Sequence, residues 1–195
     1  KGNNPRAPLL FKRRFLLYHK SIIMTGGNGM LILLEGAVLC LVFTALIGPF
    51  TLKNPTASIG DYPPAIRKRC AELGIFPARS RRFTKKDLLR KGTAALIFAL
   101  IAAVVLRQLN GAEGFWEGFR DSYLIWLIVD WYDALVLDCL WFCHCKAVRI
   151  PGTEEMAEYR DYRFHLRQSC IGMLLGLPVC AAVGALVAPL APILP

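Results

Sequence analysis

Three aspartates, Asp130, Asp133 and Asp138, lie in a stretch (120–145) that is otherwise mostly aromatic and aliphatic. An Asp at the centre of a membrane-crossing helix costs about 2.5–3.5 kcal/mol on insertion scales. All three placed centrally would cost on the order of 8–10 kcal/mol, while the aliphatic and aromatic residues of the stretch return about 3–6 kcal/mol. Such a helix cannot turn charged carboxylates to lipid. The acids must face a bundle interior, carry protons or meet cations, which is how intramembrane acids come to serve ion and proton binding. At 100° per residue, Trp126, Asp130, Asp133, Leu137, Trp141 and His144 share one helix face, and Asp138 flanks it by roughly 80°. Glu35 is the single charge of another apolar stretch. If both stretches run the same way, Glu35 and Asp130 each lie roughly 10–12 Å below one edge, at 1.5 Å per residue, and can meet. Glu35, Asp130, Asp133 and Asp138, with His144 at the inner mouth, therefore form a candidate cation or proton site. The plain alternative is that these carboxylates are protonated, or hydrogen-bonded between helices to Trp, Tyr and Ser.

Cys139-x-x-x-Cys143-His144-Cys145 carries metal-ligand residue types. Cys139 and Cys143 share a face of a regular helix, whereas His144 and Cys145 point elsewhere, so ligands from neighbouring helices would be needed to close a tetrahedral site. The identity of any metal stays open, and packing thiols or lipid modification near the inner edge are the other readings. Glu154-Glu155 followed by Arg160 is one residue too long for the Glu-Glu-x-x-x-Arg pattern of prenyl-protein-type intramembrane proteases, and a capped helix start beginning at Thr153 accounts for these glutamates. No Cys-x-x-Cys, Gly-x-Ser-x-Gly, phosphate-cradling glycine loop or His-Glu-x-x-His occurs. No catalytic residue and no cofactor is implied.

The elements that must position these acids follow from where charge is missing. Of the 195 residues, 55% are hydrophobic and 19% charged, with a mean hydropathy of +0.42. A soluble domain has roughly 25% charged residues. Four apolar stretches, about 29–50, 93–109 and 168–190 almost free of charge and 120–145 with its acids, are near the roughly 20 residues that a membrane-crossing helix needs. The expected fold is an all-α polytopic membrane protein with four transmembrane helices and two short cytoplasmic amphipathic helices. One of these opens at Asp61-Tyr62-Pro63-Pro64 and ends near Gly74 and Pro77; the other opens at Thr153. Thr84-x-x-Asp87 resembles a capping box at the start of the second span. Ala95, Ala99 and Ala103 form one small-residue face, and Gly172, Gly176, Cys180 and Gly184 another, both suited to close helix packing.

Seven cysteines, most of them in apolar stretches, read as reduced thiols rather than a disulfide framework. The net charge of +10 belongs to the loops. Loop 51–92 holds eleven Lys or Arg, and loop 146–167 holds Lys146, Arg149, Arg160, Arg163 and Arg167. Cytoplasmic loops collect such residues, so both loops are expected inside and both termini outside. Arg79, Arg81, Arg82, Lys85 and Lys86 are expected to meet anionic headgroups. No nucleic-acid recognition motif accompanies the charge. The basic segment 1–23 precedes Met24; it reads either as an over-extended reading frame, leaving 24–195 as the membrane domain, or as a basic tail.

Asp61-Tyr-Pro-Pro-Ala-Ile66, Leu127-Ile-Val-Asp-Trp-Tyr-Asp133 through Asp138, and Arg149-Ile-Pro-Gly-Thr-Glu-Glu-Met156 together resemble a group of small bacterial four-helix membrane proteins of uncharacterised function, over about residues 24–190. The resemblance implies the fold above and a bacterial plasma membrane, and brings no activity. The expected function is non-enzymatic: a transporter-like, channel-like or accessory subunit. The partners are the bilayer and either a second copy or a membrane subunit, because four short helices enclose only a small conduit. A membrane-embedded metal-dependent enzyme acting on a lipid or prenyl substrate, and a purely structural membrane protein, are the alternatives.

Overall fold

The computed structural model describes the backbone of residues 7–75 and 84–190, with side chains at 29–75, 84, 85, 89 and 92–190. Every regular element among them is helical. Helix α1 runs Ala7–Lys53, α2 Pro64–Glu72, α3 Lys85–Gln108, α4 Phe115–Tyr132 and α5 Tyr162–Val187. A π-helix, Asp133–Phe142, continues α4, and single 3-10 turns occur at Pro55–Asp61, Lys146–Val148 and Ala157–Arg160. Gly29–Lys53 and Tyr162–Val187 are long and apolar enough to cross a membrane, and Gly92–Gln108 is a shorter apolar helix. The expected third span, 120–145, falls largely on α4 and the π-helix, which form one continuous run. The side chains of segment 1–23, and those of Arg79, Arg81, Arg82 and Lys86, lie outside the described residues; Lys85 is exposed.

Local sequence explains the ends of these elements. Asn54-Pro55 stops α1, because Pro disfavours helix in the residue before it. Pro64 opens α2 in the first turn, where its missing N–H costs nothing. Gly74 closes α2 at φ +70°, with Ile75 N–H bonded to the Cys70 carbonyl (3.0 Å) and Gly74 N–H to that of Ala71 (3.1 Å). This double bond pattern satisfies the orphan carbonyls of a helix end and requires a left-handed residue, which is Gly. Thr84 stands immediately before α3, as the capping reading expects.

Close packing of α4 on α5 runs along the predicted glycine stripe. A Cβ at Gly184 would lie 2.5 Å from the Phe115 carbonyl oxygen, one at Gly176 2.5 Å from Trp126 Nε1, and one at Gly172 would collide with an Asp130 carboxylate oxygen. Trp126 Nε1 donates to the Gly172 carbonyl at 3.1 Å. Helix α1 docks on α4 through Gly36 against Ile128 and through Thr44 Oγ1, 2.8 Å from the Tyr132 hydroxyl. On α3, Ala99 and Ala103 are buried with Leu106, Ala112, Val183 and Val187, whereas Ala95 is exposed, so the alanine face packs over its second half only.

Both polar loops fold onto each other at one end of the bundle. Tyr62, Ile66 and Cys70 share a core with Phe142, Val148 and Tyr159, and the Tyr62 hydroxyl donates to the Val148 carbonyl at 2.7 Å. Here the expected second amphipathic helix is absent. Thr153 is buried in a turn, donates to the Ile150 carbonyl (2.7 Å) and lies 2.8 Å from the Tyr159 hydroxyl. With that hydroxyl committed to the loop core, Asp161 caps the following helix instead, accepting from Phe164 N–H at 3.0 Å. Asp is as good an N-cap as Thr, so this local signal was divided between two positions.

Candidate functional site

The site forms where α4 changes its winding. In a π-helix each N–H bonds five residues back, as Cys143 N–H does to the Asp138 carbonyl at 2.9 Å. Residues five apart are then stacked, which brings Asp133 and Asp138 to one side. The wider winding is also why a 100° wheel separated them and why His144 leaves the face.

Asp133 and Asp138 line a cavity of about 490 Å³ bounded by α1, the first 3-10 turn and the start of α5. Asp61 joins them from the end of the 3-10 turn, and His165 from the first turn of α5. His165 is 2% exposed. Its Nδ1 lies 2.9 Å from Asp138 Oδ2, and its ring stands edge-on to Phe142 with centroids 5.4 Å apart. Its Nε2 is buried without a hydrogen-bond partner. Asp61 stands at the exposed rim. Its carboxyl is held above the usual carboxylate range, first by desolvation against the cavity wall and then by the charge of Asp138, with Arg67 and His165 pulling the other way. Deeper in the loop core, burial first and the neighbouring Tyr159 next push the Tyr62 phenol well up, so this cavity-lining hydroxyl stays neutral.

The other expected site residues have separate places. Asp130 accepts from Ser169 Oγ at 2.5 Å, and Glu35 accepts from Asn110 Nδ2 at 3.0 Å, with Glu35 Oε1 buried and unpartnered. These two acids do not share a partner, because the Asp130 face of α4 turns to α5 while Glu35 turns to the α3–α4 connection. His144 is exposed and bonds the Leu140 carbonyl (3.1 Å) and the Tyr162 hydroxyl (3.2 Å), away from the cavity. At the opposite end Arg120 pairs with Asp121 at 2.7 Å, while Arg107 donates to the Ala112 carbonyl. All seven cysteines are free, and among the described residues no group of three or more His, Cys, Asp or Glu is placed to hold a metal ion.

Of the residues singled out in the sequence, Asp133 and Asp138 line this cavity together; His165 and Asp61, which also line it, were not among them. His165 was within reach: it and Ser169 extend the small-residue stripe of α5 back by helical steps, on the face opposite Arg163 and Arg167. Asp61 read only as part of a helix start. No protein-family model, curated protein or solved structure matches the chain.

Proposed function

We propose that this chain is an integral membrane protein that binds a cation, or exchanges protons, in the cavity formed by Asp61, Asp133, Asp138 and His165, and serves a transporter-like or accessory role. One observation carries the reading: three carboxylates and a buried histidine converge on a cavity among whose lining residues there is no Lys or Arg. Anions are disfavoured in such a place and cations favoured.

The membrane assignment is supported by the helix surfaces. Only 17% of the apolar window in Gly29–Lys53 and 28% of that in Tyr162–Val187 is buried, unlike the core helices of a soluble domain. Leu33, Leu41, Leu96, Ile101, Leu140 and Leu174 all project outward, and an apolar belt of this kind marks a lipid or protein contact. We count four crossings, with Gly92–Gln108 and the α4–π run completing the bundle. Both loops lie on the cytoplasmic side of a bacterial plasma membrane on the strength of their Lys and Arg, and the basic run 79–86 faces anionic headgroups. The cavity then opens toward the cytoplasm, near headgroup level.

The deciding experiment is thermal unfolding of the detergent-purified protein over pH 5–8 with Na⁺, K⁺, Mg²⁺, Ca²⁺ and organic cations, for the parent and an Asp133→Asn/Asp138→Asn variant. A ligand of the folded state stabilises by about 2.7 kcal/mol at a hundred times its dissociation constant. Stabilisation of the parent and not the variant by any cation supports the reading. No response to any cation or to pH, with an equally stable variant, leaves the acids as helix-pairing groups.

A second reading rests on the Asp138–His165 pair. A histidine oriented by a carboxylate through Nδ1, with Nε2 unpartnered, can serve as a general base toward a lipid ester or a water molecule once a side-chain movement uncovers that nitrogen. Lipid turnover lost in His165→Gln would favour that enzyme class.

A further inference from the structure

We infer that the ligand of this cavity is an organic ammonium ion, with N–H groups on a small apolar body, rather than a bare inorganic cation. The inference rests on the cation-binding reading above and names the ligand class for the same site.

The hydrogen-bonding character comes from His165. Its Nδ1 faces the Asp138 carboxylate, which accepts when ionised; with the proton on Nδ1, Nε2 is an acceptor just behind the cavity wall. That nitrogen is buried and unpartnered, and a buried polar atom without a partner calls for one. The carboxylates of Asp61 and Asp133 offer further acceptors. A ligand matching this set must bring several donors and a positive charge.

The apolar character comes from the walls. Phe43, Tyr62, Trp141, Phe142 and Phe164 line the same space. Aromatic faces attract cations through the ring quadrupole and bury apolar groups at the same time. The volume, about 490 Å³, falls in the range of roughly 300–1,000 Å³ occupied by small-molecule sites. A dehydrated metal ion would instead need a tight ring of ligands, and among the described residues no such grouping occurs.

The test uses the full chain in detergent and follows binding by calorimetry and by melting temperature. The probes are 2-phenylethylamine as its cation, the isosteric neutral alcohol 2-phenylethanol, the N,N,N-trimethyl analogue of the amine, and Na⁺, K⁺ and Mg²⁺. The amine is expected to bind and to raise the melting temperature. The alcohol should not, and the trimethyl analogue, which lacks N–H donors, should bind about tenfold more weakly. Asp133→Asn and His165→Phe should each weaken the amine by about tenfold. If a variant does not fold, the comparison of amine and alcohol on the unmodified protein still decides. Equal binding of the amine and alcohol, or tighter binding of the trimethyl analogue, overturns the inference. Inorganic cations that stabilise the parent through Asp133 while no amine binds overturn the inference and leave the cation-site reading standing. No binding by any probe, together with insensitivity to pH, overturns both.

Discussion

Asp138 and His165, twenty-seven positions apart in the chain, meet with Oδ2 and Nδ1 at 2.9 Å, and so tie the π-helix to the first turn of α5. The histidine side chain is almost wholly buried and the aspartate about two-thirds buried. This bond fixes the ring's orientation, and with it the position of Nε2.

Removing one partner should therefore cost more than changing its charge. Asp138→Ala is expected to destabilise by about 1–3 kcal/mol, because the buried Nδ1–H loses its acceptor. Asp138→Asn keeps an acceptor oxygen and should cost less than half as much. Denaturant unfolding in detergent separates the two; equal costs would mean that the bond contributes nothing to stability.

Asp61 gives a stability that depends on pH. Its carboxyl is raised in the folded protein, so the folded state binds more protons than the unfolded state above the ordinary carboxylate range. Stability from this group is then fully present below the unfolded value and falls as pH rises through the raised folded value. Asp61→Asn should flatten that part of the profile, with the variant gaining on the parent as pH rises. Melting temperatures from pH 4 to pH 8 check the sign, and an unchanged difference across the range would refute it.

Two glycine-to-alanine changes should act in opposite directions. Gly92 lies inside α3 with nothing near a new Cβ, so Gly92→Ala should stabilise by up to about 1 kcal/mol through helix propensity. Gly184 is also helical, but its Cβ would meet the Phe115 carbonyl oxygen, a backbone atom that cannot swing away. Gly184→Ala should cost about 1–3 kcal/mol, as overpacking of a tight contact does. Thermal unfolding of the pair gives both signs in one experiment.

The packed loops predict a labelling pattern. Thr56 and Glu155 are exposed on loops that share one end of the bundle, while Glu113 is exposed at the other end beside the start of α4. Single cysteines at Thr56 and Glu155, in a cysteine-free background, should react with an impermeant reagent only after inverting or opening the cells, and one at Glu113 should react in intact cells. Opposite accessibility of Thr56 and Glu155 would break the proposed topology.

Much of this arrangement was legible in the sequence, for identifiable physical reasons. Gly74 marks a helix end because few other residues tolerate its backbone angle. The stripe of Gly172, Gly176 and Gly184 marks the α4–α5 contact because only small residues permit that approach. Asp133 and Asp138 stand out because carboxylates are costly in an apolar stretch. What failed is winding and competition. The wheel assumed a constant turn of 100°, so it separated Asp138 from Asp133 and kept His144 on their face. Thr153 and Asp161 carry the same capping chemistry, and only the Tyr159 hydroxyl, brought by the folded loop, selects between them. Glu35 and Asp130 have compatible depths, yet depth says nothing about the direction in which each side chain turns.

Tyr62 and Phe142 belong to two places at once. Both line the acidic cavity, and both are part of the buried core that joins the two polar loops. A close-packed interior has no slack to absorb a displaced ring. An occupant that widens the cavity must therefore push on the Tyr62–Val148 bond and shift the two loops together. The chain thus has a common wall between its chamber and its outer face, so that filling the chamber can be read by touch from the side where the loops are displayed.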